Sequence, residues 1–161
     1  KRNYGEWMPA QGAEPPHLKT VPLTLPAEDD RKQRTIHTLS MPVSSGDQPP
    51  VVLQPESKIR VRGKIASSHR IWFGMTLRRE NGDFAGRFQT ILPAEESKSG
   101  EPFEVVLNLS DYHLDPALAQ WADSLPKTPY GLIVKGVWCH TLWDPAGLQV
   151  SEIELMTPTG K

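Results

Sequence analysis

The feature that most limits the fold is a recurring pattern of short runs in which apolar and polar residues alternate. Eight occur: LKTVPLTL (18–25), RTIHTLSM (34–41), KIRVRGKIA (58–66), RIWFGMTLRR (70–79), FAGRFQTIL (84–92), PFEVVLNLS (102–110), YGLIVKGVWCH (130–140) and GLQVSEIELM (147–156). Successive side chains of a strand point to opposite faces, so a period of 2 marks strands with one buried and one wet side. In 58–66, Ile59, Val61 and Ile65 share one face, and Lys58, Arg60, Arg62 and Lys64 share the other. In 70–79 the core set is Ile71, Phe73, Met75 and Leu77; in 84–92 it is Phe84, Phe88 and Leu92; in 102–110 it is Phe103, Val105, Leu107 and Leu109. The 16 prolines fall mostly between the runs, which suits many short strands and loops and opposes a helix bundle. Pro22 and Pro42 confine the first two runs to sheet edges or strand ends, because proline has no ladder donor.

Punctuation supports this reading. Asn81-Gly82 between two alternating runs is a strong hairpin signal of the type I′ kind, so 70–79 and 84–92 are expected to be antiparallel neighbours. The short link Ser67-Ser68-His69 extends that expectation to a three-strand meander with 58–66. The one helical stretch is DPALAQWADSL (115–125), with Asp115 as cap, Pro116 in the first position, and Leu118, Trp121, Ala122 and Leu125 on one face. Together these features predict an all-β, two-sheet antiparallel sandwich of jelly-roll type with about eight strands and one short helix.

A chain of 161 residues has the size of one ordinary domain. Residues 1–17, with three prolines and no hydrophobic period, read as a linker or extended lead-in, 18–157 as the sandwich and 158–161 as a tail. The sequence starts at Lys1 and stops in TPTGK, and both ends read as cut from a longer polypeptide. With 18 basic and 19 acidic side chains there is no global field to attract nucleic acid or an anionic membrane, and no apolar run nears the roughly 20 residues that span a bilayer. Neither partner is expected.

Trp72 raises the functional question, because it falls on the wet side of its strand with Arg70. Across the expected hairpin, Arg87 and Gln89 point to the same side. An aromatic ring flanked by hydrogen-bonding side chains suits a sugar, which offers an apolar C–H face for stacking and hydroxyls for polar groups. The competing reading has Trp72 covered by a loop or by the N-terminal segment. Trp143, in the loop WDPAG, is a second candidate for ligand contact. Strict alternation from Leu132 and Val134 buries Trp138 and His140, unless Gly136 forms a bulge that reverses the parity; Trp138 is read as a core residue.

Catalytic and metal signatures are weak. Cys139 and His140 are adjacent on a strand and face opposite ways, so they do not make a nucleophile and base. The five histidines lack metal-ligand spacing, one cysteine builds no cage, and no phosphate loop or nucleophile elbow is present. No enzyme activity and no cofactor are expected; a structural calcium in the acidic loops AEDD (27–30) or AEES (94–97) is left unlocated. The basic stripe of 58–64 reads as a solvated face, with a sulfated glycan as the alternative.

The core residues Phe103, Val105 and Leu107, followed by Val150, Ile153 and Leu155 in the last run, give a pattern that resembles carbohydrate-binding modules with a galactose-binding-like sandwich. The resemblance covers roughly residues 18–157. It implies an extracellular or periplasmic, non-catalytic accessory module that binds an oligosaccharide or polysaccharide beside neighbouring domains of its parent chain. The competing function is a protein-interaction or structural domain, since tryptophan and arginine also anchor protein interfaces.

Overall fold

The computed structural model describes residues 5–27, 32–43, 49–142 and 146–156. Among these, eleven strands form two antiparallel sheets that face each other as a β-sandwich. The five-stranded sheet runs β1 (Glu6–Met8), β2 (His17–Lys19), β11 (Gln149–Met156), β5 (Lys58–Lys64), β8 (Pro102–Asn108). The six-stranded sheet runs β3 (Val21–Leu25), β4 (Arg34–Pro42), β10 (Ile133–Thr141), β6 (Ile71–Arg78), β7 (Phe84–Leu92), β9 (His113–Leu114). A nine-residue 3₁₀ helix, Pro116–Ser124, follows β9.

The alternating runs explain the core. Ile59 and Val61 from β5, Leu107 from β8 and Val150 from β11 meet Leu39, Phe73, Met75, Leu77, Phe88 and Cys139 from the other sheet in one buried cluster. Pro22 lies in β3, an edge strand, where a missing donor costs nothing in the ladder, and Pro42 ends β4. The run 18–25 divides at Thr20, so that His17–Lys19 joins one sheet and Val21–Leu25 the other. Within the lead-in, Glu6–Met8 pairs with His17–Lys19 as an edge hairpin, and Trp7 is mostly exposed there.

Three local expectations are corrected. β6 and β7 do pair, but the turn is a three-residue loop: Gly82 N donates to Arg79 O and Arg79 N to Asp83 O, with Gly82 at φ +95°. This is a glycine-bulge hairpin in place of the two-residue type I′ turn. The meander fails because β5 and β6 lie in different sheets. Ser67-Ser68-His69 is the corner between them, held where Ala66 N donates to Ala146 O and Ser97 Oγ donates to His69 O. Phe84 leaves the core set: the β6–β7 register skips Ala85, which turns inward fully buried and rotates Phe84 to the outer face.

The outer face of the five-stranded sheet is covered by paired charges. Arg60 bonds Glu154 and lies within salt-bridge reach of Glu104 and Glu152, Arg62 meets Glu152 and Glu104, and Lys64 meets Glu14. Three of the four cations of the basic stripe are therefore matched by glutamates, and Lys58 at its end makes no ion pair among the described residues.

Candidate functional site

The outer face of the six-stranded sheet is different in character. Strand register places His140 beside Trp72 and Trp138 beside Gly74, with Thr38 and Ser40 on one flank and Gln89 and Arg87 on the other. Trp138 and His140 reach this face because the β10–β6 ladder slips between Val134 and Gly136. The bulge reverses the parity, so Val137, Cys139 and Thr141 turn inward and Trp138 faces out, correcting its placement in the core. Cys139 is fully buried, and burial pushes its thiol above its ordinary range, far from the reactive thiolate form.

The three rings form a ladder. Trp72 and His140 stack with centroids 5.2 Å apart and planes at 13°, and Trp138 stacks on His140 at 5.3 Å and 9°. Offset parallel rings of this kind attract beyond the area they bury. Gly74 makes room for it: a Cβ at that position would sit 2.0 Å from the ring of Trp138, so no larger residue fits under the indole. At the near end, the Arg70 guanidinium lies 5.8 Å from the Trp72 ring centroid, a cation–π distance. Burial pushes the His140 imidazole down to about 4, with the charge of Arg34 adding to the depression and Asp115 opposing it. The middle ring is thus neutral at ordinary pH.

Around the ladder lies an open groove of about 1630 Å³. Leu23, Leu25 and Arg34 form one wall, and the 3₁₀ helix forms the other, presenting Trp121. That helix is fixed by one carboxylate. Asp115 Oδ1 accepts from Ala117 N at 3.0 Å as the N-cap, and Oδ2 accepts from Arg87 Nε at 3.1 Å, while Asp115 N donates to Arg87 O at 2.8 Å. Because a 3₁₀ helix repeats every three residues, Leu118 and Trp121 share a side: Leu118 is buried and Trp121 stands 51% exposed in the groove.

Of the residues singled out in the sequence, Trp72, Arg87 and Gln89 line the groove together, and Arg70 sits at its end against Trp72. Trp143 lies outside the described residues, as do Glu28, Asp29 and Asp30 of the first acidic loop. In the second acidic loop, Ala94–Glu96 forms a 3₁₀ turn. The bulge at Gly136, raised from the sequence as the alternative, brings Trp138 and His140 into the groove, and Phe84, Trp121 and Arg34 were not foreseen there. Glycines within alternating runs, at 74, 86 and 136, were the available signal for Trp138, His140 and Phe84, since such glycines mark bulges and close approaches. Among the described residues, no three His, Cys, Asp or Glu side chains gather as they would around a metal ion. No helix among them is long and apolar enough to cross a membrane.

No protein-family model matches the chain, and no curated protein is similar to it.

Proposed function

We propose that the chain is a non-catalytic carbohydrate-binding module whose ligand occupies the groove of the six-stranded sheet. The observation that carries this reading is the aromatic ladder Trp72–His140–Trp138 on the floor of a groove that also presents Arg87 and Gln89. Pocket surfaces that combine apolar area with a few fixed polar groups are those that orient small ligands. Trp121 offers a ring on the helix wall, and Trp72 is half-buried on the floor. A sugar ring lying between them gains apolar contact on its C–H face while Gln89 and Arg87 meet its hydroxyls.

The test is a glycan array with the wild-type protein, followed by titration of any glycan it retains against Trp72→Ala and Trp121→Ala. Each variant is expected to lose about 1–3 kcal/mol of affinity, using the scale of base stacking on aromatics as the nearest measured analogue. A correctly folded protein that retains no glycan would overturn the reading. Silence on the array with a stable Trp72→Ala variant favours a protein-interaction surface, the reading supported by the exposed rim of Phe84, Trp121 and Leu142.

A further inference from the structure

The two outer faces of the sandwich treat their cations differently. On the five-stranded sheet, Arg60, Arg62 and Lys64 all have glutamate partners. On the groove side, Arg87 is matched by Asp115. Arg34 and Arg70 make no ion pair among the described residues. Lys32 also lines the groove and makes no ion pair among the described residues.

The register fixes where the two arginines stand. His140 pairs with Thr38 on one side and Trp72 on the other, and continuing both ladders two residues places Leu142 between Ile36 and Arg70. Arg34 lies two residues further along β4 from Ile36. Both cations therefore stand at the His140 end of the ladder, on strands either side of β10, offset by two strand spacings of roughly 10 Å across the sheet and by two residues, roughly 7 Å, along it. Arg70 is held there by Trp72, and Arg34 lies close enough for its charge to act on His140. The far end of the groove, at Arg87 and Asp115, is internally neutral.

Resting on the carbohydrate reading above, we propose that the ligand carries a carboxylate: the groove takes a hexuronate-bearing oligosaccharide, with the ring on the aromatic floor and the carboxylate toward Arg34 and Arg70. A uronate is the sugar class that combines a stackable ring with a fixed anion, and arginine matches a carboxylate through two parallel N–H donors. Two arginines with no ion pair among the described residues, beside a neutral aromatic ladder, leave positive charge for the ligand to match.

The experiment compares oligouronates (galacturonate, glucuronate and mannuronate series) with their methyl esters by calorimetry at low salt, using wild type, Arg34→Gln/Arg70→Gln and Trp72→Ala. Methyl esterification removes the charge and leaves the ring. At least one acid series is expected to bind tenfold or more tightly than its ester, with the gap closing in the double arginine variant and both forms weakening in Trp72→Ala. Equal binding of acid and ester, or an acid preference that survives Arg34→Gln/Arg70→Gln, overturns the uronate assignment. Acid binding that ignores Trp72 and vanishes at moderate salt also overturns it, since that is non-specific polyanion attraction. A neutral glycan bound in a Trp72-dependent way with no uronate bound keeps the carbohydrate reading and sinks this one; no glycan of either kind sinks both.

Discussion

His140 shows how one residue can be chosen by its neighbours. A histidine packed between two indoles is largely desolvated, and desolvation disfavours its charged form. The imidazole pKa accordingly falls from about 6.5 to about 4. The sign follows from the proton count. Below about pH 6.5 the unfolded chain takes up a proton at this position while the folded chain refuses it until about pH 4. Stability from this group is intact above pH 6.5, is lost progressively as pH falls from 6.5 to 4, and levels off below. The total loss is about 3 kcal/mol, because each tenfold change in proton affinity corresponds to about 1.4 kcal/mol. Denaturant melts across this range should show wild type losing stability relative to His140→Phe, which keeps a ring in the stack and does not titrate. Parallel pH curves for the two proteins would mean that His140 is solvated and the ladder looser than described. The charge of Arg34 belongs to the same account, because it lowers the pKa further and Asp115 only partly opposes it.

At the scale of elements, strands are legible in the sequence and their partners much less so. Alternation within KIRVRGKI or RIWFGMTL is a local property, and the buried sets Ile59/Val61 and Ile71/Phe73/Met75/Leu77 lie where it puts them. Sheet membership is not local: three residues at 67–69 serve a hairpin or a sandwich corner equally well, and distant hydrogen bonds to Ala146 and Ser97 decide between them. Parity downstream of a bulge is also hidden. A glycine in a strand says that something yields, without saying which way, and so alternation puts Phe84 and Trp138 on the wrong face while it puts Trp72, Arg87 and Gln89 on the right one. The helix at 115–125 is legible from Asp115-Pro116, but as a 3₁₀ helix it places Trp121 in the groove rather than under it. Its dependence on Asp115 is testable. Asp115→Ala removes the N-cap and the partner of Arg87, and a loss of about 1–2 kcal/mol is expected on the scale of cap deletions. The groove wall should loosen with it, read as a change in Trp121 fluorescence against a Trp121→Phe control. Unchanged stability and emission would show that packing of Leu118 alone holds the helix.

The whole molecule joins two sheets through one cluster, and most of its connections cross between them. Only β1–β2, β3–β4 and β6–β7 join sequential neighbours within a sheet; β2 to β3, β4 to β5, β5 to β6, β7 to β8, β8 to β9 and β10 to β11 pass from one sheet to the other. Neither sheet can bury its inner face without the other, because Val61 and Ile59 have Phe73, Met75 and Leu39 as their cover. The two layers should therefore open together, in one cooperative transition. The periphery is different. β1 has a partner on one side only and three residues of ladder, and Trp7 contributes little buried area. Native-state hydrogen exchange separates these regimes. Amides of β5 and β11 in one sheet and of β6 and β10 in the other should share one maximal opening free energy, equal to that of global unfolding. Amides of Glu6–Met8 should exchange through local fraying at much lower cost, with no dependence on denaturant. If β5 and β6 instead reached different ceilings, the sheets would be separable units, and the groove could survive the loss of the charged sheet behind it. Equal ceilings would mean that any substitution in the shared core, such as Phe73→Ala at about 3–5 kcal/mol, weakens the aromatic groove as much as the charged face.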